Sequence, residues 1–255
     1  MTSGVDLDLL QTACRLTEDA SRIALRWFGD SSLKVERKAD GTPVTAADRE
    51  IESALRRRLG ELFPADGIAG EEDEDRPGTS GRCWVIDPID GTKAFTHGVP
   101  LFSTLLALEI GCTPVLGVIH MPALGETVAG ATGIGAFHNG VPCRVNSRDQ
   151  LRGSYLTTSA FDTWPPRALT AARLSGAQLR TWGDGYGYAL VATGRVEAMV
   201  DAVAEHHDLA APRAVVEAAG GTFTDWDGNA STTGGNAVAS NGPLHSAVLG
   251  LLRGD

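Results

Sequence analysis

The sequence predicts a layered α/β protein built from two closely packed lobes. Three observations carry this reading: helical periodicity near the N-terminus, a central block of short apolar runs separated by turn residues, and strand–helix alternation over residues 155–252.

Within 5–28, Leu9, Leu10, Ala13, Leu16, Ala20, Ile23, Ala24 and Trp27 recur at spacings of three and four, the stripe of an amphipathic helix, with Gly29 placed to end it. Residues 34–38 alternate as a short strand, and 39–43 read as a loop. A second helix is expected over 45–59, where Thr45 and Asp48 have the spacing of a capping box. Apolar Ile68-Ala69 and then Trp84-Val85-Ile86 look like short strands, the latter ended at Asp87-Pro88 because proline cannot donate to a ladder. Strands follow at 101–110 and 114–120 around a turn at 111–113, then at 126–131 and in a hairpin closed by Asn139-Gly140. The second lobe reads as strand 155–158, helix 165–174, a run at 178–181, a helix opening after Trp182-Gly183-Asp184 and reaching 193, strand 196–200, helix 207–219, strands 222–225 and 237–240, and a closing helix over 243–252.

The chain has 255 residues, 42% of them hydrophobic, enough for a substantial core. With 22 basic and 32 acidic residues its net charge is −10, which argues against nucleic acid or an anionic membrane as partner. The same charge would repel a phosphate unless some acids hold divalent cations, which would then present positive charge. Cys14, Cys83, Cys112 and Cys143 are scattered without metal or redox spacing, as reduced cytoplasmic thiols would be. No basic leader with an apolar core is present and no apolar run approaches the ~20 residues of a membrane helix, so a cytoplasmic location is expected.

The chemistry concentrates at Trp84-Val85-Ile86-Asp87-Pro88-Ile89-Asp90-Gly91-Thr92. Alone, Asp-Pro or Asp-Gly would be an ordinary Asx-type turn with solvated acids. Together they put two carboxylates and a hydroxyl at one strand end, where the like charges need a proton or a cation between them. Oxygen donors favour a hard ion such as Mg²⁺. Two more acidic stretches stand beside it: Asp48 at a helix start, and Gly70-Glu71-Glu72-Asp73-Glu74-Asp75 after a short strand. Gly130-x-x-Gly133-x-Gly135 lacks the strand-to-helix context of a dinucleotide fingerprint and reads as structural, and no Gly-x-Ser-x-Gly elbow occurs.

The string Trp84 to Thr92, preceded by Asp48 and Gly70-Glu71-Glu72 and followed by Asp208-Leu209-Ala210-Ala211 and Glu217-Ala218-Ala219-Gly220-Gly221, resembles the motifs of the inositol monophosphatase-like family in the same order along nearly the whole chain. The resemblance implies an αβαβα sandwich of the inositol monophosphatase and fructose-1,6-bisphosphatase type. It implies a lobe over 1–148 carrying most metal ligands, and an α/β lobe over 149–255 closing the site. It further implies hydrolysis of a small phosphate monoester by in-line attack of water, with two to three Mg²⁺ held by Glu71, Asp87, the Ile89 carbonyl, Asp90 and Asp208. Glu71 and Thr92 would orient and deprotonate the water, and Asp48 would hold the Thr92 hydroxyl. Asp90, Gly91 and Thr92 would meet the substrate, Lys38 matches a basic residue common at that position, and a homodimer is the state of many relatives.

Asp201, seven residues before Asp208, falls where inositol monophosphatases place an acid against substrate hydroxyls. Trp182 to Tyr188, with Lys93-Ala94-Phe95 and Gly98 to Phe102, looks closer to the histidinol-phosphatase branch, in which Asp184 would suit an aminated substrate. One departure stands out: His207, preceded by His206, replaces the tryptophan usual before the Asp208 position. As imidazoles are rare ligands in Mg²⁺ sites, both are expected to face the substrate. Histidinol phosphate is therefore the first substrate expected, inositol phosphate the second, and a nucleotide or sugar phosphate of specialised metabolism the third. A non-catalytic metal- and phosphate-binding protein is the alternative from another class.

Overall fold

The computed structural model describes residues 4–30, 34–37 and 43–253; Lys38 and most of the loop expected after it lie outside the described residues. Helix α1 (Leu7–Trp27) starts on Asp6, whose side chain accepts from the Leu9 amide, and is followed by the short antiparallel pair β1 (Val35–Arg37) and β2 (Pro43–Thr45). Helix α2 (Ala46–Leu62) opens on the expected Thr45–Asp48 capping box and runs three residues past the expected end.

Next come β3 (Gly67–Gly70), β4 (Arg82–Asp90), the short helix α3 (Thr92–Thr96), β5 (Ser103–Ile110), β6 (Thr113–Met121), β7 (Glu126–Ala131), β8 (Gly135–His138) and β9 (Val141–Cys143). These seven strands form one sheet in sequence order, with only the β3–β4 pair parallel. The remaining chain is β10 (Tyr155–Thr157), α4 (Pro166–Leu174), β11 (Gln178–Arg180), α5 (Asp184–Ala192), β12 (Ala198–Asp201), α6 (His206–Ala218), β13 (Thr222–Thr224), β14 (Ala237–Ser240) and α7 (His245–Arg253). Its strands make a second sheet in the order β11-β10-β12-β14-β13.

Side-chain alternation sorts the strands into three cores. Trp84, Ile86, Leu106, Leu108, Leu116 and Val118 pack under α1 and α2, whereas Val85, Leu105, Ala107, Ile119 and Val128 face α5 and α6. Those two helices bury their other sides on Met199, Phe223, Ala237 and Ala239, and the far face of the second sheet, with Leu156, Ala198, Val200 and Val238, is covered by α4 and α7. The layers are therefore helix, sheet, helix, sheet, helix, the expected αβαβα sandwich.

One expectation about β4 is corrected. The strand does not end at Asp87-Pro88 but continues to Asp90, because its register slips there: Asp87 pairs with Leu105 and Asp90 with Ser103, leaving Pro88 and Ile89 opposite Thr104 alone. A bulge tolerates proline, and the Pro88 carbonyl accepts from the Thr104 hydroxyl at 2.8 Å. The extra residue also reverses the side-chain parity. Asp87 and Asp90, which would point to opposite faces of a regular strand, both point to the side of α5 and α6.

Helix α6 lies unusually close to the large sheet. A Cβ on Gly117 of β6 would stand 2.3 Å from the Ala211 carbonyl oxygen, so glycine sets the depth at which α6 docks and hence the reach of Asp208. Gly117→Ala is expected to lower stability by about 1–3 kcal/mol through overpacking, read as a drop in the urea midpoint with the m-value unchanged.

Candidate active site

The site is built first by β4. Asp87 is 1% exposed and Asp90 7%, and the bulge aims both the same way. Gly91, in the left-handed conformation at φ 82°, turns the chain into α3, which Phe95 anchors against Phe102. The Thr92 hydroxyl donates to the Ile89 carbonyl at 3.0 Å. Asp90 accepts from the Ser103 hydroxyl at 2.6 Å and from the Gly185 amide at the start of α5. That contact explains Gly185: a Cβ there would stand 2.3 Å from Ser103 Oγ and 2.8 Å from Asp90 Oδ2.

Glu71 follows one residue beyond the Gly70–Ile86 pair at the end of β3, which places it beside Asp87. Its loop hangs on a residue that the sequence reading passed over. Glu52, fully buried on α2, accepts from the Glu72 amide at 2.9 Å, the Asp73 amide at 3.1 Å and Arg56 Nε at 2.7 Å, while Arg56 donates onward to the Asp73 and Glu74 carbonyls. The acids beyond Glu72 are exposed, as expected. Asp48 is buried near Glu71, but its carboxylate accepts from the Thr45 amide at 2.8 Å and the Thr45 hydroxyl at 2.6 Å. The expected hold of Asp48 on Thr92 is thus not formed in this structure: the helix cap engages Asp48, and the Ile89 carbonyl takes the Thr92 hydroxyl.

From the far side, α6 brings Asp208, which caps its own helix by accepting from the Glu205 amide at 2.7 Å and also joins the carboxylate cluster. His207 meets that cluster directly, with Nε2 at 3.6 Å from Asp208 Oδ1 and 3.9 Å from Glu71 Oε1. His206 does not, contrary to expectation. Being one residue away on a helix it points elsewhere, with Nδ1 2.9 Å from the Thr232 hydroxyl and Nε2 3.4 Å from Glu109.

Asp184 begins α5 at φ 53°, an uncommon conformation for a side-chain-bearing residue, with Oδ2 lying 3.1 Å from where a Gly91 Cβ would be. Its amide donates to Ser159 Oγ. Asp201, expected to meet substrate hydroxyls, is buried, with one carboxylate oxygen accepting from the Ser159 amide and hydroxyl and the other from the Tyr188 hydroxyl at 2.8 Å. It fixes Ser159, and through it the start of α5.

Burial pushes the carboxyls of Asp87, Asp90, Asp184 and Asp208 above the ordinary aspartate range. Neighbouring carboxylates add to the rise, with Glu71, Asp90 and Asp208 acting on Asp87, and Asp184 and Asp208 acting on Asp90. One oxygen atom from each of Asp87, Asp90 and Asp208 lies within 4.8 Å of the other two, and Glu71, Asp87 and His207 form a second such group. Asp87 Oδ1 is buried with no hydrogen-bond partner. A hard divalent cation fits this donor set, because it would neutralise the repulsion and satisfy that oxygen.

The chain has relatives along its whole length among known proteins. The model of the inositol monophosphatase family matches residues 6–253. The chain belongs to the inositol monophosphatase family. Among members with curated functions it is 42% identical to a histidinol-phosphatase of Chlorobaculum parvum, over 91% of both chains. It is 39% identical to a histidinol-phosphatase of Mycobacterium tuberculosis, over 95% of this chain and 96% of the other. Among solved structures, a Thermotoga maritima IMPase superposes with a TM-score of 0.89 at 31% identity, covering 97% of each chain. The family is metal-dependent, in keeping with the acidic clusters.

Within the family frame, the residues that the sequence reading missed are supports: Glu52 and Arg56 under the Glu71 loop, Ser103 against Asp90, Ser159 and Tyr188 around Asp201. Glu52 and Arg56 left a faint signal, an acid and a base four apart beside the apolar Ile51 and Leu55. Glu52→Gln is expected to cost about 2 kcal/mol in a denaturant titration, since it weakens three charge-assisted hydrogen bonds.

Burial also raises Asp48 to about 6 and Asp201 to about 7 from the ordinary 3.8. Folding then favours the protonated forms, so their stabilising contribution is full below the unfolded value and is lost as pH rises through the folded one. The thermal midpoint of EDTA-treated protein is expected to fall between about pH 4 and 7, with Asp201→Asn flattening part of that slope.

Proposed function

We propose that the chain is a phosphomonoesterase of small metabolites whose main substrate is histidinol phosphate, released as histidinol and phosphate in histidine biosynthesis in the cytoplasm. The observation carrying this reading is the constellation of the buried Asp87 and Asp90 with the partly exposed Asp208 and Glu71, beside Asp184, in a chain related along its length to histidinol-phosphatases. No described helix is long and apolar enough to cross a membrane.

In this reading residues 1–148 supply most of the metal ligands and residues 149–255 close the site. Glu71, Asp87, the Ile89 carbonyl, Asp90 and Asp208 would hold two to three Mg²⁺. Bound there, they would supply positive charge to the phosphate oxygens and acidify a water molecule. Glu71, held in place by the Glu52-anchored loop, serves as general base for that water, and Thr92 orients it from the first turn of α3. Asp48 adds negative charge beside Glu71 and keeps the start of α2 fixed. No covalent intermediate is required: the four cysteines are free thiols with no companion base placed by a recognisable motif, and no Gly-x-Ser-x-Gly elbow occurs.

Asp184 provides the selectivity. Its carboxylate stands beside Gly91, near Asp90, and a substrate ammonium would pair with it. Inositol 1-phosphate is the second reading, favoured by the likeness to the Thermotoga maritima IMPase. A homodimer is the proposed state.

Phosphate release with Mg²⁺, with and without EDTA, should be measured on histidinol phosphate, inositol 1-phosphate, a nucleoside monophosphate, a nucleoside bisphosphate and fructose 1,6-bisphosphate. EDTA-sensitive turnover greatest on histidinol phosphate is expected. Asp184→Asn should lower kcat/KM on that substrate by about ten- to a hundredfold, the worth of a charge-assisted pair, and change inositol 1-phosphate little. Equal losses on the two would refute the role given to Asp184.

A further inference from the structure

The imidazole of His207 is in an unusual position for a site otherwise made of oxygen. Its Nε2 lies 3.9 Å from Glu71 Oε1 and 3.6 Å from Asp208 Oδ1, too far for hydrogen bonds yet inside the carboxylate cluster. His207, Glu71 and Asp87 each offer a donor atom within 4.8 Å of the other two. Donors bound to one ion at about 2.0–2.2 Å stand roughly 3–3.5 Å apart, so a modest contraction would seat a cation among them. A second observation points to a ligand: Asp87, 1% exposed, keeps its Oδ1 without a hydrogen-bond partner. A protonated His207 would instead pair as an ion with Asp208 and Glu71 at these distances, but its Nε2 donates a hydrogen bond to neither, so the ring nitrogen stays available to a cation.

We propose that His207 is a metal ligand, making with Glu71 and Asp87 a mixed nitrogen–oxygen site for a divalent transition ion, Zn²⁺ best and Mn²⁺ as its paramagnetic probe. This rests on the reading of the carboxylate cluster as a metal cage. Asp87 is shared between this group and the all-oxygen group of Asp87, Asp90 and Asp208, which suits Mg²⁺. The two sites are then chemically distinct. Imidazole binds transition ions far better than Mg²⁺, so the His207 side prefers such an ion, taking Mg²⁺ where that is the ion supplied, while the Asp90 side favours Mg²⁺. His206 takes no part, since both its ring nitrogens face Thr232 and Glu109.

The test uses the full chain, stripped with EDTA and loaded with Mn²⁺, and reads nitrogen coupling to the ion by pulsed electron paramagnetic resonance. Wild type is expected to show ¹⁴N modulation from one imidazole, retained in His206→Asn and lost in His207→Asn. In calorimetric titrations His207→Asn should weaken Zn²⁺ binding about tenfold or more while leaving Mg²⁺ binding within about threefold. Mn²⁺ that binds wild type without nitrogen coupling, or coupling that survives in His207→Asn, would overturn the proposal and leave the cage intact. Mn²⁺ and Mg²⁺ that do not bind wild type at all would overturn both. The wild-type spectrum decides even where a variant folds poorly.

Discussion

The crowding of carboxylates between the two sheets is the constraint on which the rest of the structure depends. Asp87, Asp90, Asp184 and Asp208 converge from three separate elements, all with carboxyls pushed upward by burial. Left anionic and unpaired, such a group would oppose folding. Its cost is met in two ways. Donors from the protein, such as Ser103 and the Gly185 amide on Asp90 and the Glu205 amide on Asp208, hold individual oxygens. Cations would take the rest of the charge, and Asp87 Oδ1, buried without a hydrogen-bond partner, is the oxygen that most needs one.

Each wall of the cluster has its own support beneath it. Under Glu71 lies the buried Glu52–Arg56 pair, which ties a mobile kind of sequence, a run of acids, to the rigid face of α2. Under Asp184 lies Ser159, held in turn by Asp201 and Tyr188. Under Asp208 lies α6, seated on Gly117. Catalytic geometry needs this arrangement, because displacement of a carboxylate by an ångström would change both its charge balance and its reach.

The charge balance of the whole chain also finds its place here. A net charge of −10 is a poor start for binding an anion. In the proposed site the acids are few and converge on one point, where bound cations would reverse the local sign. The histidines show how finely position decides role: His207 enters the cluster, whereas His206, its neighbour in sequence, serves a buried contact with Glu109 and Thr232.

Much of this was legible in the sequence. Helical periodicity gave α1 and α2, Asn139-Gly140 gave the last hairpin of the large sheet, Asp87 and Asp90 could be chosen because acids so grouped need a cation, and Glu71 and Asp208 by the resemblance of their motifs to those of the family. Local patterns suffice for such features, since they depend on spacing along a few turns or one strand. Other features depend on register and on contacts between distant segments. The passage of β4 through Pro88 needed the slip against β5, and only that slip put Asp87 and Asp90 on one face. The link from Asp201 through Ser159 to Asp184 joins residues 159, 184 and 201, and Glu52 reaches 20 residues ahead to carry the loop of Glu71. The sequence by itself determined the layers and the acids of the site. Tertiary structure decided which side chains those acids face and what holds them there, because both follow from packing across the sheets rather than from spacing along the chain.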